Sequence, residues 1–184
     1  MHMITREEAL QLVKENVETK NLVNHMIAVS AIMKKMAEHF GEDTQLWEVV
    51  GMLHDIDYEQ TKDDFSRHGL VSAEMVKDLL PEEALHAIKA HNELTGVKAE
   101  GRMEISLFAA DALSGMIVSG ALVRPTKLEG MKAGSIRRRM KDKSFARAVS
   151  RENIMRCEEI GIPLNTFLTL GIEAMQSVHA EIGL

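Results

Sequence analysis

Apolar residues recur at spacings of three and four along most of this chain, which is the period of an amphipathic α-helix. The longest such run follows Asn21 and ends before Gly41, a residue type that commonly terminates helices in the left-handed conformation. Its apolar positions are Leu22, Met26, Val29, Met33, Met36 and Phe40. Similar runs continue towards the C-terminus, and the chain contains only 3 prolines. This pattern predicts an all-α protein.

Capping residues and helix breakers divide the pattern into separate helices. We expect Thr5 and Glu8 to form a capping box at the first helix, and we expect a sixth, strongly apolar helix over about residues 102–122. Arg124-Pro125 breaks that helix, and the polar residues 57–66 predict a loop. The other helices are predicted to begin at Asn21, at Asp43 or Thr44, at Ser66, at Pro81, at Ser135, at Ser144 and at Asn165.

The composition is that of a globular protein with a sizeable core, since 45% of the 184 residues are hydrophobic and 27% are charged. We find no interdomain linker and predict a single domain over residues 1–184. The single cysteine, Cys157, excludes an internal disulfide and a cysteine-based zinc site, and we expect it to be a small core or half-buried residue. No apolar run approaches the length of a membrane span and no signal peptide is evident, so we expect a cytoplasmic protein.

The net charge of −6 is unevenly distributed. Residues 122–156 contain 11 Lys and Arg against 3 Asp and Glu, a local charge of +8, so the rest of the chain carries −14. A basic segment on an acidic protein could attract phosphates or nucleic acid. The alternative is that these side chains form a solvated helical surface.

The stretch from Gly51 to Tyr58 carries the first candidate chemistry, because His54 directly precedes Asp55 at the end of an apolar run. At a fraying helix end these two side chains can converge, and an imidazole beside a carboxylate suits a divalent metal. A hydrogen bond that closes the helix is the alternative. Asp111 lies inside the apolar sixth helix, where an unpaired charge would cost several kcal/mol. A metal, a buried arginine or a helix cap would satisfy it.

Taken in order, six residues resemble the ligand set of the HD superfamily of metal-dependent phosphohydrolases, over about residues 21–120. They are His25, His54, Asp55, His68, His91 and Asp111. The resemblance implies a compact helical HD bundle, with an HD core over about residues 20–120 and additional C-terminal helices over about 121–184. It also implies that His25, His54 and Asp111 complete one metal, that His68 and His91 complete another, and that Asp55 bridges the two.

The function implied by the resemblance is hydrolysis of a nucleotide or another small phosphate ester by a metal-activated water, with Asp55 as the catalytic bridging residue. We expect two divalent ions, iron or manganese before magnesium, nickel or zinc. Two alternatives stay open, which are an HD-type di-iron oxygenase and a non-catalytic sensor that binds a metal or a phosphorylated ligand. We expect neither a membrane nor a nucleic acid as partner, and a homo-oligomer stays open.

The chain departs from many two-metal relatives after the doublet, where Asp57 and Tyr58 occupy the places of a small residue and a lysine that contacts phosphate. A positive partner for the substrate must then come from elsewhere, and we predict Arg124, Lys127 and Lys62. The stretches 121–127 and 141–145 also resemble a bacterial subgroup of predicted HD hydrolases without an assigned substrate. The remaining histidines are expected to be ordinary surface or helix-end residues, and they are His2, His39, His86 and His179.

Overall fold

A computed structural model describes residues 2–184, and these residues form helices and turns without any β-strand, which confirms the all-α prediction. The α-helices are α1 Arg6–Asn16, α2 Lys20–Phe40, α3 Thr44–Leu53, α4 Tyr58–Thr61, α5 Leu70–Met75, α6 Glu82–Ala90, α7 Arg102–Leu122, α8 Ala133–Lys141, α9 Arg151–Met155, α10 Leu164–Ser177 and α11 His179–Ile182. Short 3-10 helices cover Phe65–Arg67, Glu93–Thr95 and Arg156–Ile160.

Several predicted helix ends are confirmed by their hydrogen bonds. The Thr5 amide donates to the Glu8 carboxylate at 2.7 Å, and the Glu8 amide donates to the Thr5 hydroxyl at 3.2 Å, which is the predicted capping box. The Asp43 carboxylate accepts from the Leu46 amide at 3.0 Å at the start of α3. Gly41 ends α2 with a φ of 70°, in the left-handed region that favours glycine.

Other predicted caps are wrong. The α2 helix begins at Lys20, before its predicted cap Asn21, and α10 begins at Leu164, before its predicted cap Asn165. In contrast, α5 begins at Leu70 and α9 at Arg151, well after their predicted caps Ser66 and Ser144. The hydroxyls of Ser66 and Ser144 donate instead to the nearby carboxylates of Asp64 and Asp142, each at 2.6 Å, and so stabilise turns. The predicted loop over 57–66 is also wrong in part, because it contains α4 and the start of a 3-10 helix.

Helices α2, α3, α7 and α10 surround the main core. Glycines allow two of their contacts to be close. A Cβ on Gly51 of α3 would lie 2.8 Å from the Cα of Ser30 on α2, and a Cβ on Gly171 of α10 would lie 2.4 Å from a methyl of Leu113 on α7. There is therefore no room for added atoms between α3 and α2, which carries His25, or between α10 and α7, which carries Asp111.

The α7 helix was predicted over about 102–122 and has those bounds. By length and composition alone it could cross a membrane, which differs from our expectation that no apolar run approaches that length. However, 67% of its most apolar window is buried inside the fold. It packs against α2, α6, α8, α9 and α10, so it is the central helix of the bundle.

Candidate metal centre

Helix ends and helix interiors together bring the six predicted ligands to one place. His54 and His91 follow the last residues of α3 and α6, where the chain leaves the helix. His25 and Asp111 face inward from α2 and α7, and His68 lies between a 3-10 helix and α5. Because these segments are far apart in sequence, only the packing of the helices brings the side chains together.

The first group joins two imidazoles and two carboxylates. The Nε2 atom of His25 lies 2.8 Å from Oδ1 of Asp111 and 3.1 Å from Oδ2 of Asp55. The Nε2 atom of His54 lies 3.3 Å from the same Asp55 oxygen and 3.7 Å from Asp111. One ligand atom from each of these four residues lies within 4.8 Å of the others, which is compact enough to surround one cation.

The second group uses the other oxygen of Asp55. Its Oδ1 atom lies 2.9 Å from Nε2 of His68 and 3.1 Å from Nε2 of His91. The two imidazole nitrogens lie 3.0 Å apart. Asp55 therefore presents Oδ2 to the first group and Oδ1 to the second, as a carboxylate that bridges two cations would.

Backbone carbonyls fix the tautomers of two of the histidines. Nδ1 of His54 lies 2.7 Å from the carbonyl oxygen of Gly51, and Nδ1 of His91 bonds the carbonyl oxygen of Ile88. Each carbonyl belongs to the last turn of its helix, where it has no amide partner within the helix. A carbonyl can only accept, so Nδ1 carries the hydrogen in both rings and Nε2 offers a lone pair to the site when the ring is neutral.

A serine orients His25 in the same way. The Ser114 hydroxyl lies 2.8 Å from the carbonyl oxygen of Asp111, to which it donates, and 3.2 Å from Nδ1 of His25. Because the hydroxyl hydrogen is committed to the carbonyl, the hydroxyl oxygen accepts from Nδ1–H of His25. The Nε2 lone pair of His25 then faces Asp111 and Asp55.

Asp57 orients His68 and is a residue whose role we did not predict from the sequence. Its buried carboxylate accepts from Nδ1 of His68 at 2.7 Å, from the Gly69 amide at 2.7 Å and from the Ser72 amide at 2.9 Å. A carboxylate behind a histidine is a frequent partner of a metal ligand, since it fixes the ring and raises its basicity. The only indication of this role in the sequence was the position of Asp57, two residues after Asp55.

The titration behaviour of the site reflects the shortage of positive charge. Burial lowers the pKa of His25, but the carboxylates of Asp111 and Asp55 outweigh burial and raise the pKa to about 9. Burial likewise lowers the pKa of His68, and Asp55 and Asp57 raise it to about 9. Burial raises the pKa of Asp55, yet the surrounding imidazoles hold that pKa well below its usual range.

These observations fit a divalent cation. The buried Nε2 atom of His54 has no hydrogen-bond partner among residues 2–184, although buried polar atoms are nearly always paired. Imidazole nitrogens and carboxylate oxygens within a few ångströms of one another repel unless protons or cations lie between them. Divalent cations would supply the missing charge and accept the lone pairs of the Nε2 atoms, so the cluster is compatible with divalent metal binding.

A cavity of about 500 Å³ opens onto the cluster. Its polar wall includes every predicted ligand except the fully buried His54. It also includes Asn92, whose amide donates to the carbonyls of Phe65 and His68 at 2.8 and 3.0 Å. Phe65 is 38% exposed and stacks on the ring of His68 with centroids 4.5 Å apart. The other apolar or aromatic residues in the wall are Leu22, Tyr58, Leu94 and Phe108.

The three cations predicted to contact substrate do not line this cavity. Nε and Nη2 of Arg124 donate to the carbonyls of Lys127 and Glu129 at 2.9 and 2.7 Å, so its guanidinium closes the turn after α7. Lys62 follows α4 and is exposed. Phosphate binding by these residues stays an untested prediction, and the cavity wall gives it no geometric support.

The remaining histidines and the cysteine behave as expected. All four other histidines are exposed, and His86 lies 2.7 Å from Glu104 at the surface, away from the cluster. Cys157 is fully buried, and burial raises the pKa of its thiol to about 12. The thiol is therefore an inert core group.

Comparison with known proteins agrees with the site. The HD domain family matches residues 22–116, which include all six predicted ligands. The chain is 36% identical over 98 residues to a protein named Ribonuclease Y from Lawsonia intracellularis, which covers 53% of this chain and 19% of that protein. It is 31% identical over 112 residues to an uncharacterized protein of Methanocaldococcus jannaschii, covering 58% of this chain and 64% of that protein.

A second Ribonuclease Y, from Oleidesulfovibrio alaskensis, is 30% identical over 98 residues, covering 53% of this chain and 18% of that protein. The chain thus spans about a fifth of the length of these ribonucleases. No solved structure shows a significant match. The family match extends over more than half of the chain and contains the whole ligand cluster, and the chain therefore belongs to the HD domain family.

Proposed function

We propose that this protein is a metal-dependent phosphohydrolase that cleaves a phosphate ester bound in the 500 Å³ cavity. The observation that carries the proposal is the position of Asp55, which offers one oxygen to each of two imidazole-containing groups. This arrangement suits two adjacent divalent cations, which are a frequent catalytic device for phosphoryl transfer. The names of the related ribonucleases, which refer to cleavage of a phosphodiester polymer, are consistent with phosphoester chemistry.

Two ions would be held by residues already in position. His25, His54, Asp55 and Asp111 would hold one, and Asp55, His68 and His91 would hold the other. Four imidazoles with two carboxylates favour iron or manganese among the divalent ions, since softer sulfur ligands are absent from these groups. When bound, the ions supply positive charge to a phosphoryl oxygen and a water of lowered pKa.

The chain's own residues prepare the site for that chemistry. Hydrogen bonds from Nδ1 keep the Nε2 atoms of His25, His54, His68 and His91 directed at the cluster. The ligand set is held on packed helices, so little reorganisation is needed as charge develops on the phosphate. Phe65, Tyr58 and Leu94 form an apolar wall that suits the organic part of the ester.

A hydrolysis assay on metal-loaded protein tests the proposal. We expect the protein to release p-nitrophenol from bis-p-nitrophenyl phosphate or p-nitrophenyl phosphate. This release should depend on added Mn²⁺ or Fe²⁺ and should be abolished by Asp55→Asn. The exposed His39→Ala variant serves as the control and should retain activity. Turnover that consumes oxygen without releasing phosphate or an alcohol would indicate a di-iron oxygenase. Tight binding of phosphate esters without any turnover would indicate a sensor, and either result would overturn the proposal.

A further inference from the structure

Residues 132–147 concentrate positive charge on a chain that is otherwise acidic, and we call them the basic strip. They comprise α8 and the turn that follows it, and they contain 7 Lys and Arg against 1 Asp, on a protein of net charge −6. The cations are Lys132, Arg137, Arg138, Arg139, Lys141, Lys143 and Arg147. The strip lies outside residues 22–116, so it is not part of the matched HD domain.

The basic strip runs along α7 towards the metal cavity. At its start, Ile136 packs against Gly120 of α7, where an added Cβ would lie 2.8 Å from the Ile136 methyl. Just beyond its end, a methyl of Val149 would lie 3.1 Å from a Cβ on Gly115. Gly115 is one helical turn from the ligand Asp111, and Asn153 then lines the cavity itself.

One cation–π contact and the side chain of Arg151 hold this segment in place. Its guanidinium donates to the carbonyls of Met140, Asp142, Ala146 and Val149 at 2.7–3.2 Å and also bonds that of Phe145. The guanidinium of Arg139 lies 4.6 Å from the Phe145 ring centroid. The turn after α8 is therefore a fixed element rather than a loose basic tail.

Five of the cations have no internal partner. All five are exposed, and none forms a side-chain hydrogen bond or ion pair within residues 2–184: Lys132, Arg138, Lys141, Lys143 and Arg147. Arg137, in contrast, bonds the side chain of Asn165. These unpaired positive charges are available to an anionic ligand, because they are held on a fixed element that approaches the metal cavity.

We propose that the basic strip binds the phosphate backbone of a single-stranded oligonucleotide whose scissile phosphodiester lies in the metal cavity. This inference rests on the proposed function, and it names an oligonucleotide as the substrate class. From Asp111 to Gly120 is about 14 Å at 1.5 Å per residue, which exceeds the reach of a single phosphate group. A ligand that contacts both places must spread its negative charges over this distance, as the successive phosphates of an oligonucleotide do.

The cavity wall supports unpaired bases rather than a duplex. Phe65 and Leu94 are exposed at the cavity at 38% and 65%, and Tyr58 lies edge-on to Phe65 with centroids 5.8 Å apart. Proteins that bind single strands combine a basic surface along the backbone with aromatic side chains on which bases stack. The proposed oligonucleotide differs from our expectation from the sequence, in which nucleic acid was an unlikely partner.

Binding of a fluorescent single strand to metal-loaded protein tests the inference. The probe is an oligonucleotide of roughly 8–16 nucleotides with phosphorothioate linkages, which resist hydrolysis. The variant combines Arg138→Ala, Lys141→Ala and Arg147→Ala, all at exposed positions. We expect it to weaken binding by about tenfold or more at moderate salt, and to lower the slope of log affinity against log salt by about 2, at about 0.7 per lost phosphate contact.

Two controls separate this inference from the proposed function. Lys14→Ala with Lys77→Ala removes two exposed cations elsewhere and should leave both affinity and salt slope unchanged. Turnover of bis-p-nitrophenyl phosphate, which is too small to reach the basic strip, should be equal in the triple variant and in the unmodified protein. If neither the unmodified protein nor the triple variant hydrolyses bis-p-nitrophenyl phosphate, the proposed function is wrong, whereas binding of the oligonucleotide by the basic strip is judged separately by affinity and salt slope.

Three results would overturn the inference. They are absence of oligonucleotide binding by the unmodified protein, equal binding and equal salt slope in the triple variant, and an equal loss in the lysine control. Vesicles containing phosphatidylglycerol provide a further arm of the experiment. Strip-dependent binding to these vesicles without binding to the oligonucleotide would assign the strip to a membrane surface and would also overturn it.

Discussion

Asp55 and Asp57 are separated by one residue, yet they face different partners at the metal centre. Asp55 divides its two oxygens between the ligand groups, whereas Asp57 accepts from His68 and from two backbone amides. The geometry depends on Gly69, whose φ of 92° is one that other residues rarely adopt. The six predicted ligands could be identified from their order in the sequence. The turn at Gly69 and the hydrogen bond between Asp57 and His68, eleven residues apart, could not be predicted from residue spacing.

Replacement of the Asp57 carboxylate should weaken one half of the centre selectively. In Asp57→Asn, an amide NH₂ group replaces one of the two carboxylate oxygens that accept hydrogen bonds from His68 and from two backbone amides. Because this NH₂ group is itself a donor, His68 would lose its fixed orientation. Loss of such partners typically lowers metal affinity about 10–100-fold. We expect metal titration by calorimetry to show this loss for one of two sites. Asp63→Asn, at an exposed position nearby, should bind like the unmodified protein, and equal affinities in both variants would contradict the assignment.

Protonation should make the stability of the metal-free protein depend on pH in a defined direction. The pKa values of His25 and His68 are about 9 in the folded protein and 6.5 for an ordinary histidine. The folded state therefore binds more protons than the unfolded state between these values, and this stabilisation is present below pH 6.5 and lost as the pH rises through 9. In EDTA, the Tm should fall between pH 6.5 and 9.

Metal-loaded protein provides the comparison for this pH dependence. Bound cations replace the protons, and metal affinity increases as the imidazoles become neutral, so the loaded protein should not show the same decline. A Tm that rises over this interval in EDTA would contradict the proposed origin of the stabilisation.

Among the helices, strong breakers predicted the ends well, whereas short polar caps predicted them correctly at Thr5 and Asp43 but not at Ser66 or Ser144. The α7 helix has its predicted bounds because Gly101 precedes it and Pro125 follows it closely. Ser66 and Ser144 were equally good caps by residue type, but each bonds an aspartate two residues earlier. Competition between neighbouring polar groups is decided by local geometry, which spacing in the sequence does not determine.

The close contact between α2 and α3 places the His54-Asp55 end of α3 beside His25, so we expect metal binding to depend on it. Gly51→Ala would add a methyl 2.8 Å from the Ser30 backbone, which cannot move aside as a flexible side chain can. We expect a loss of about 1–3 kcal/mol in the free energy of unfolding, together with weaker metal binding, measured by urea denaturation and metal titration.

Gly134→Ala is the matched control for this substitution. Its Cβ would meet only the ends of two arginine side chains at 3.7 Å or more, and alanine favours the α8 helix. Stability should be unchanged or slightly higher. Equal effects of the two substitutions would show that the close approach of α2 and α3 does not matter for the centre.

At the scale of the whole molecule, the HD core and the C-terminal helices share one hydrophobic core. Val149 and Asn153 come from the C-terminal part, yet one packs beside the Asp111 turn and the other lines the cavity. The order of the six predicted ligands along the sequence was enough to predict that they lie close together, because the resemblance supplied a known arrangement. The approach of the basic strip to the cavity depends on how α8 and α9 pack on α7, and charge counting alone could not predict it.

Metal content after anaerobic purification decides whether Asp55 bridges two cations. We predict about two ions of iron or manganese per chain in the unmodified protein, about one in His91→Ala, and almost none in Asp55→Ala, as expected for two adjacent sites that share a carboxylate. His39→Ala, at an exposed position, should retain about two. A value near one in the unmodified protein that His68→Ala and His91→Ala leave unchanged, or retention of both ions in Asp55→Ala, would contradict the account.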